Sequence, residues 1–229
     1  MKSLNVTENE KPLHGRWYAD ACGTAFGLEV VGERWALLVV RELMFGPLRF
    51  SDLRAALPGL SAKILTERLA GLERSGVLRR LSITDPVPAQ LYGLTDWGYA
   101  AEPIIQELGR WAAASPLHDP NLPLSPASFM LSLRTMLNRG AACDHAAVVA
   151  FAIGTARFTA RLTDGTLPVT RGEPEAPDLR FTAASAPPLA AVFYGNVDPE
   201  TVGVQVAGDP DLLDKFVGLF ELPKPFTPP

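Results

Sequence analysis

The sequence predicts two domains: a mainly α half carrying a short hairpin, then an α+β half built on an antiparallel sheet. Three observations carry that expectation. Residues 115–126, SPLHDPNLPLSP, hold Pro116, Pro120, Pro123 and Pro126, a density that excludes a helix interior and suits a semi-rigid connector. Upstream of it apolar residues recur at helical spacing. Downstream they alternate with period two over several short runs. The 229 residues fit one or two domains at about 150 residues each. The expected division is therefore 1–115, a Pro-rich linker at 116–126, and 127–229.

At 47% hydrophobic and 20% charged the chain is too apolar for a disordered tail, and no repeat of solenoid length occurs. The first residues, MKSLNVTENEKPLHGRW, lack the apolar core of a secretion signal, and no apolar run approaches the ~20 residues that span a bilayer. A soluble, cytoplasmic protein without membrane insertion is expected. Two cysteines, Cys22 and Cys143, are far too few for a disulfide scaffold and lack the paired spacing of a zinc site. Reduced thiols and no metal follow. The net charge of −4 hides an asymmetry. Residues 47–80 hold Arg49, Arg54, Lys63, Arg68, Arg74, Arg79 and Arg80 against Asp52, Glu67 and Glu73, a local basic face suited to a polyanion.

From Gly32 the chain reads GERWALLVVRELMFGP, with Trp35, Leu38, Val39 and Leu43 at helical spacing and Gly46-Pro47 as a stop. This predicts one buried helix. RFSDLRAAL then places Phe50, Leu53 and Leu57 on one face before the Pro58-Gly59 turn. Ser61 caps SAKILTERLAGLERSG, whose Ile64, Leu65, Leu69 and Leu72 form an apolar stripe ended by Gly76. The opposite face carries Lys63, Thr66, Ala70 and Arg74, with Glu67 beside them. Arg68 falls inside the stripe and is expected to form a structural ion pair, with Glu42 or Glu73 as partner. VLRRLSI and AQLYGLT, separated by Asp85-Pro86-Val87-Pro88, predict a hairpin with a stiff tip, a wing. Thr95 caps TDWGYAAEPIIQELGRWAAAS, one amphipathic helix bent at Pro103. In that order these elements make a winged helix-turn-helix.

The run Cys22, Gly32, Trp35, GPLRFSDLRAALPGLSAKILTERLAGLERSGVL, Tyr92-Gly93-Leu94-Thr95, Gly98 and Pro103 resembles the HxlR family of bacterial transcription regulators over residues 20–112. The resemblance implies a homodimer, built from the first and last helices of this half, on a double-stranded DNA operator with inverted half-sites. A recognition helix reads the major groove, and dimer symmetry sets half-sites ~34 Å apart. Ser61, Ala62, Lys63 and Thr66 are then candidates for base edges or phosphates, and Arg49, Arg54 and Arg74 for phosphates. Arg79 and Arg80 flank the wing. The chain departs from the family at Glu33, where a second glycine is usual, and at Ala89, where an arginine is common. Some members use a cysteine at the position of Cys22 to sense oxidants or electrophiles, and a helix N-terminus lowers a thiol pKa. A buried, inert cysteine at the dimer helix is the other reading of Cys22.

In the second half, Ser125-Pro126 opens a helix with Phe129, Met130, Leu133, Met136 and Leu137 at helical spacing up to Gly140. ARFTARLT turns at Asp164-Gly165 and returns as TLPVTR, a half-buried hairpin. Residues 148–153, Leu179 with Phe181, and Val202, Val204 and Val206 bring the count of expected strands to five. PLAAVFYG is a short helix, and Asp209-Pro210 opens a closing helix whose Leu212, Leu213, Phe216, Val217, Leu219 and Phe220 face the core. This order, with LTDGTLPVTRGEP and VQVAGDPDLL, resembles the sterol-carrier-protein-like lipid-binding domain over roughly residues 125–222. That resemblance implies a hydrophobic tunnel between sheet and helices. Phe129, Leu133, Phe151, Phe158, Phe181, Val192, Phe193, Phe216 and Phe220 are its candidate lining, or ordinary core.

His14, His118 and His145 are isolated, and no HExxH, GxSxG, P-loop or GxGxxG occurs. No enzyme and no cofactor are expected. The sequence points to a dimeric DNA-binding transcription regulator, a repressor, modulated by a hydrophobic small molecule in its second domain. Two alternatives stand beside it: a lipid-binding carrier with the winged half as dimerisation module, and a Cys22-based redox or electrophile sensor.

Overall fold

The computed structural model describes residues 18–84 and 88–227. By contacts the chain forms two compact units, Met1–Val40 with Pro47–Tyr99, and Arg41–Gly46 with Ala100–Pro229. The division differs from a boundary at 116–126. It falls after Tyr99, because the helix at 102–113 packs against the helix at 126–136.

The first unit contains α1 (Gly23–Val31), the start of α2 (Ala36–Leu43), β1 (Leu48–Arg49), α3 (Phe50–Ala56), α4 (Ala62–Arg74), β2 (Leu78–Ile83), β3 (Ala89–Leu94) and α5 (Asp96–Tyr99). The helices bury Val39, Val40, Leu53, Leu57, Leu65, Leu69 and Leu72 in one core. At the end of α4, Gly76 N donates to Glu73 O and Val77 N to Leu72 O, the paired bonds that close a helix on a left-handed residue. β2 and β3 pair antiparallel from Leu78↔Leu94 to Ile83↔Ala89, as the wing requires. Its tip, residues 85–87, lies outside the described residues. β1 joins the far side of β3 through Leu48↔Tyr92, giving the order β1-β3-β2. A two-residue strand leaves no periodic signature, so the sequence reading lacks it.

Three expectations about this unit need correction. Trp35 does not belong to a helix: its φ of 79° places it in the left-handed region, and α2 starts one residue later. Leu38 is exposed rather than buried, and Ala36 and Val40 are buried beside the expected Val39 and Leu43. The single bent helix after Thr95 is two helices, α5 and α6 (Glu102–Ala113), and the chain breaks at Ala100-Ala101 before Pro103 enters the new first turn.

Thr95 caps α5 as expected. Its Oγ1 accepts from Gly98 N at 3.1 Å and donates to Gly76 O at 2.7 Å. A Cβ at Gly98 would run into the carbonyl oxygen of Val77 and the side chain of Leu94. Backbone oxygen held in the β2 entry does not yield as a flexible side chain would. Gly98→Ala is therefore expected to destabilise the first unit by ~1–3 kcal/mol, read as a lower urea midpoint with an unchanged slope.

The second unit joins Arg41–Gly46 to α6, α7 (Pro126–Met136), α8 (Arg139–Ala142), β4 (Ala147–Ile153), β5 (Ala156–Leu162), β6 (Val169–Arg171), β7 (Leu179–Ala183), α9 (Ala186–Gly195), β8 (Gln205–Gly208) and α10 (Pro210–Val217). Ser125 Oγ accepts from Ser128 N at 3.0 Å and Asp209 Oδ1 from Asp211 N at 3.0 Å, so both expected caps form. Asp164 (φ 47°) and Gly165 (φ 67°) make the left-handed pair that a tight hairpin demands.

The sheet runs β6-β5-β4-β7-β8 and is mixed rather than antiparallel. β7 lies parallel to β4, Phe181 beside Phe151. The cause is the stretch 172–178, which carries the chain from the β6 edge past β5 and β4 instead of turning back as a hairpin. It is held there by Thr159, whose hydroxyl donates to Gly172 O at 2.9 Å, and by Glu173, which pairs with Arg157 at 3.0 Å and Arg180 at 3.4 Å. Covered on both faces, β4 is the continuously apolar strand AVVAFAI. Two further readings shift: α7 stops at Met136 with the short α8 following, and Val202 lies in a 3-10 turn, Pro199–Val202, with Val204 buried ahead of β8.

Candidate nucleic-acid interface

The α3–turn–α4 unit is assembled by local chemistry. Ser61 Oγ accepts from Ile64 N at 3.3 Å and fixes the start of α4. Leu65, Leu69 and Leu72 bury one side of that helix and thereby turn Lys63, Thr66, Glu67 and Arg74 to solvent. Ala62 and Ala70 are half-buried beside them. The Thr66 hydroxyl donates to Ala62 O at 2.9 Å, which spends its proton inside the helix and leaves its lone pairs and methyl for a partner.

Around α4, Arg49 immediately precedes α3 and Arg54 lies in its last turn, both exposed. Arg79 is exposed on β2. Arg49, Arg54, Lys63 and Arg79 form no ion pair among the described residues. Arg80 differs from them: it pairs with Glu73 at 3.0 Å and lies over the Tyr92 ring at 5.9 Å. Its charge is largely answered inside the domain.

Arg68 forms the structural ion pair expected of it, with a different partner. Its Nη2 meets Glu33 at 3.1 Å and its Nε donates to Arg34 O at 3.1 Å, tying α4 to the residues that precede α2. Glu42 is instead bound to Arg41 and Ser125, and Glu73 to Arg80. The wheel position identified the role of Arg68, but only the path of the chain after Gly32 could identify Glu33.

The family profile described as HxlR-like helix-turn-helix matches residues 30–118. The HTH-type transcriptional regulator YvaP of Bacillus subtilis is 42% identical over 85 residues, 37% of this chain and 79% of its own length. The chain belongs to the HxlR-like helix-turn-helix family. The HTH-type regulator YodB of Bacillus subtilis is similar at 36% over 89 residues, 39% of this chain and 78% of its own. YtfH of Escherichia coli is similar at 32% over 106 residues, covering 46% and 84%. The reduced form of YodB, a solved structure, superposes with a TM-score of 0.39 at 30% identity, covering 45% of this chain and all of that one. Residues 119 onward lie outside the HxlR-like match.

In the single chain Cys22 is exposed. It occupies the position before the first turn of α1. The amide and hydroxyl of Thr24 and the amide of Ala25 hold its thiol below the ordinary value, although none closes a bond of capping geometry.

The nine aromatic and aliphatic residues singled out in the second unit, Phe129, Leu133, Phe151, Phe158, Phe181, Val192, Phe193, Phe216 and Phe220, are all buried. Phe151 and Phe181 stack at 5.1 Å. Phe193 stands near Phe181 at 5.2 Å, Phe220 at 5.3 Å and Phe129 at 5.6 Å, and Phe216 meets Phe220 at 5.2 Å. These rings fill one another's faces. A polar pair that the sequence reading lacks sits next to Phe193: Ser132 and Tyr194 share a 2.6 Å hydrogen bond between α7 and α9. Burial pushes the Tyr194 hydroxyl well above its ordinary pKa, against the opposing effect of that bond. Sixty-two positions separate the two residues, and nothing in the local sequence of either announces the other.

Proposed function

We propose that this chain is a cytoplasmic, homodimeric, DNA-binding transcription regulator, a repressor, that reads an operator of inverted half-sites with α4. One observation carries the reading: a capped helix with a buried apolar side presents Lys63, Thr66 and Arg74 together, flanked by the exposed Arg49, Arg54 and Arg79. Phosphate contacts by the arginines would position the helix, and the side chains of its first two turns would read base edges. A second copy is supported by α6, whose Ile104, Leu108 and Trp111 are 58%, 46% and 76% exposed at successive turns of one stripe. Among the described residues no helix is long and apolar enough to cross a membrane. The reading is tested by the native mass of the complex with an operator duplex. Two chains per duplex are expected, and a one-to-one complex removes the dimer from the account.

The second unit, in this proposal, is the sterol-carrier-protein-like module that responds to a hydrophobic molecule. Such a ligand controls binding only through a difference in its affinity for two states of the protein. Gentle purification followed by mass spectrometry of the denatured chain is expected to release a stoichiometric apolar compound. An empty protein whose operator affinity no apolar compound alters would exclude this role.

The exposure of Cys22 favours a second reading, in which that thiol senses oxidants or electrophiles. A thiol held below its ordinary pKa becomes thiolate at lower pH, and the thiolate is the nucleophile. Alkylation of Cys22 by iodoacetamide is therefore expected to rise through a midpoint below that of an unperturbed thiol peptide. It should also outpace alkylation of Cys143, whose S–H donates to Arg139 O at 3.1 Å. A profile superimposable on the free peptide's would sink the sensor reading.

A further inference from the structure

Between α1 and α2 the chain makes a tight turn, in which Ala36 N donates to Glu33 O at 2.9 Å and Trp35 takes its left-handed φ of 79°. A bulky residue rarely adopts that conformation, and it persists only where its surroundings hold it. The Arg34 guanidinium lies 5.4 Å from the centre of the Trp35 ring. The edge of that ring reaches the turn between α3 and α4, where a Cβ at Gly59 would stand 3.9 Å from Trp35 Cη2. Gly59 is itself left-handed, at φ 87°. Residues 32–35, α3 and α4 all belong to the first unit.

Arg68 meets the same turn from within α4. Its Nη2 pairs with Glu33 at 3.1 Å and its Nε donates to Arg34 O at 3.1 Å. Two adjacent residues thus grip one guanidinium, a directional fork that a lysine cannot reproduce. The remainder of that side of α4 is Leu65, Leu69 and Leu72, and hydrophobic burial is non-directional. A roll of ~10° about the helix axis moves a side chain ~5–6 Å from that axis by ~1 Å, whereas a hydrogen bond to a base edge tolerates only ~0.5 Å. Fixing the roll therefore matters more for reading bases than for holding phosphates.

We infer that Glu33 and Arg68 are positioning residues for sequence reading. The turn at 33–35 sets the roll of α4, through Arg68 on the helix itself and through Trp35 on the turn that precedes it. This role presupposes the proposed reading of bases by α4, with which it shares no residue: Lys63 and Thr66 are exposed on the other side of the helix. Loss of the fork then costs discrimination between duplexes rather than attraction to them.

The test compares two probes on the full-length chain: the duplex that the wild type selects from a random-sequence pool, and a scrambled duplex of the same composition. Glu33→Ala and Arg68→Ala, each checked for folding by circular dichroism, are expected to lower the ratio of the two affinities about fivefold, the lower end of what one base contact is worth. Affinity for the scrambled duplex and the log–log salt slope should stay at the wild-type values, whereas a phosphate contact by Arg68 would reduce the slope by ~0.9. The double variant should lose no more than either single one, because both break the same fork. Arg68→Lys keeps the charge without the fork and should discriminate as poorly as Arg68→Ala. Glu33→Gln keeps an acceptor oxygen and should restore most of the ratio. Wild-type discrimination in folded Glu33→Ala and Arg68→Ala, a reduced slope, or additive losses would overturn the inference. A wild-type chain that selects no duplex would fail the reading of α4 itself, and the positioning role with it.

Discussion

Lys63→Ala combined with Thr66→Ala is expected to lower operator affinity at least tenfold while leaving the fold intact. Both side chains are exposed in the first turns of α4, and neither touches the apolar stripe that packs it. A lost base contact costs ~1–3 kcal/mol, and a lost phosphate contact lowers the log–log salt slope by ~0.9. The two residues should also separate. Loss of Lys63 weakens binding to all duplexes and flattens the salt dependence, whereas loss of Thr66 narrows the gap between operator and unrelated DNA. Fluorescence anisotropy at several salt concentrations, with circular dichroism as the folding control, reads both. Unchanged affinity in a folded double variant would remove this face of α4 from the interface.

Phe181→Ala should be the most damaging single change in the second unit. Phe181 is fully buried and touches three rings, Phe151 at 5.1 Å, Phe193 at 5.2 Å and Phe216 at 6.4 Å. Removing a phenyl group from such a site forfeits its transfer free energy and leaves a cavity, ~3–5 kcal/mol together. Total stabilities are only ~5–15 kcal/mol, so the unit should lose most of its margin. Phe181→Leu, which keeps much of the volume, should cost under ~1.5 kcal/mol. A loss below ~1 kcal/mol on Phe181→Ala would mean that the ring lines an open chamber and is not packed against its neighbours.

Much of the fold was legible because its signals are local. Ser61, Ser125 and Asp209 start helices where a short side chain can meet a free amide, and Asp164-Gly165 turns where the backbone must be left-handed. Features set by distant partners were not legible. β1 is too short to show a period, and the parallel pairing of β4 with β7 depends on a crossover whose anchors, Thr159 and Glu173, are ordinary surface types. At the interface the sequence reading identified which face of α4 is exposed, since the apolar stripe defines its opposite. It missed that Arg80 is answered by Glu73 and that Arg68 reaches Glu33, because those pairings join separate elements. The left-handed Trp35 and the exposed Leu38 were likewise not legible, whereas Val39 and Leu43 are buried as their spacing predicts.

The most direct test of the central claim is selection of bound duplexes from a random-sequence pool by the full-length chain at physiological salt. The account predicts enrichment of an inverted repeat whose half-sites lie one helical turn apart, ~34 Å, with binding that weakens steeply as salt rises. A pool that remains random after repeated rounds would contradict sequence reading by α4, and binding indifferent to salt would contradict the phosphate contacts assigned to Arg49, Arg54 and Arg74.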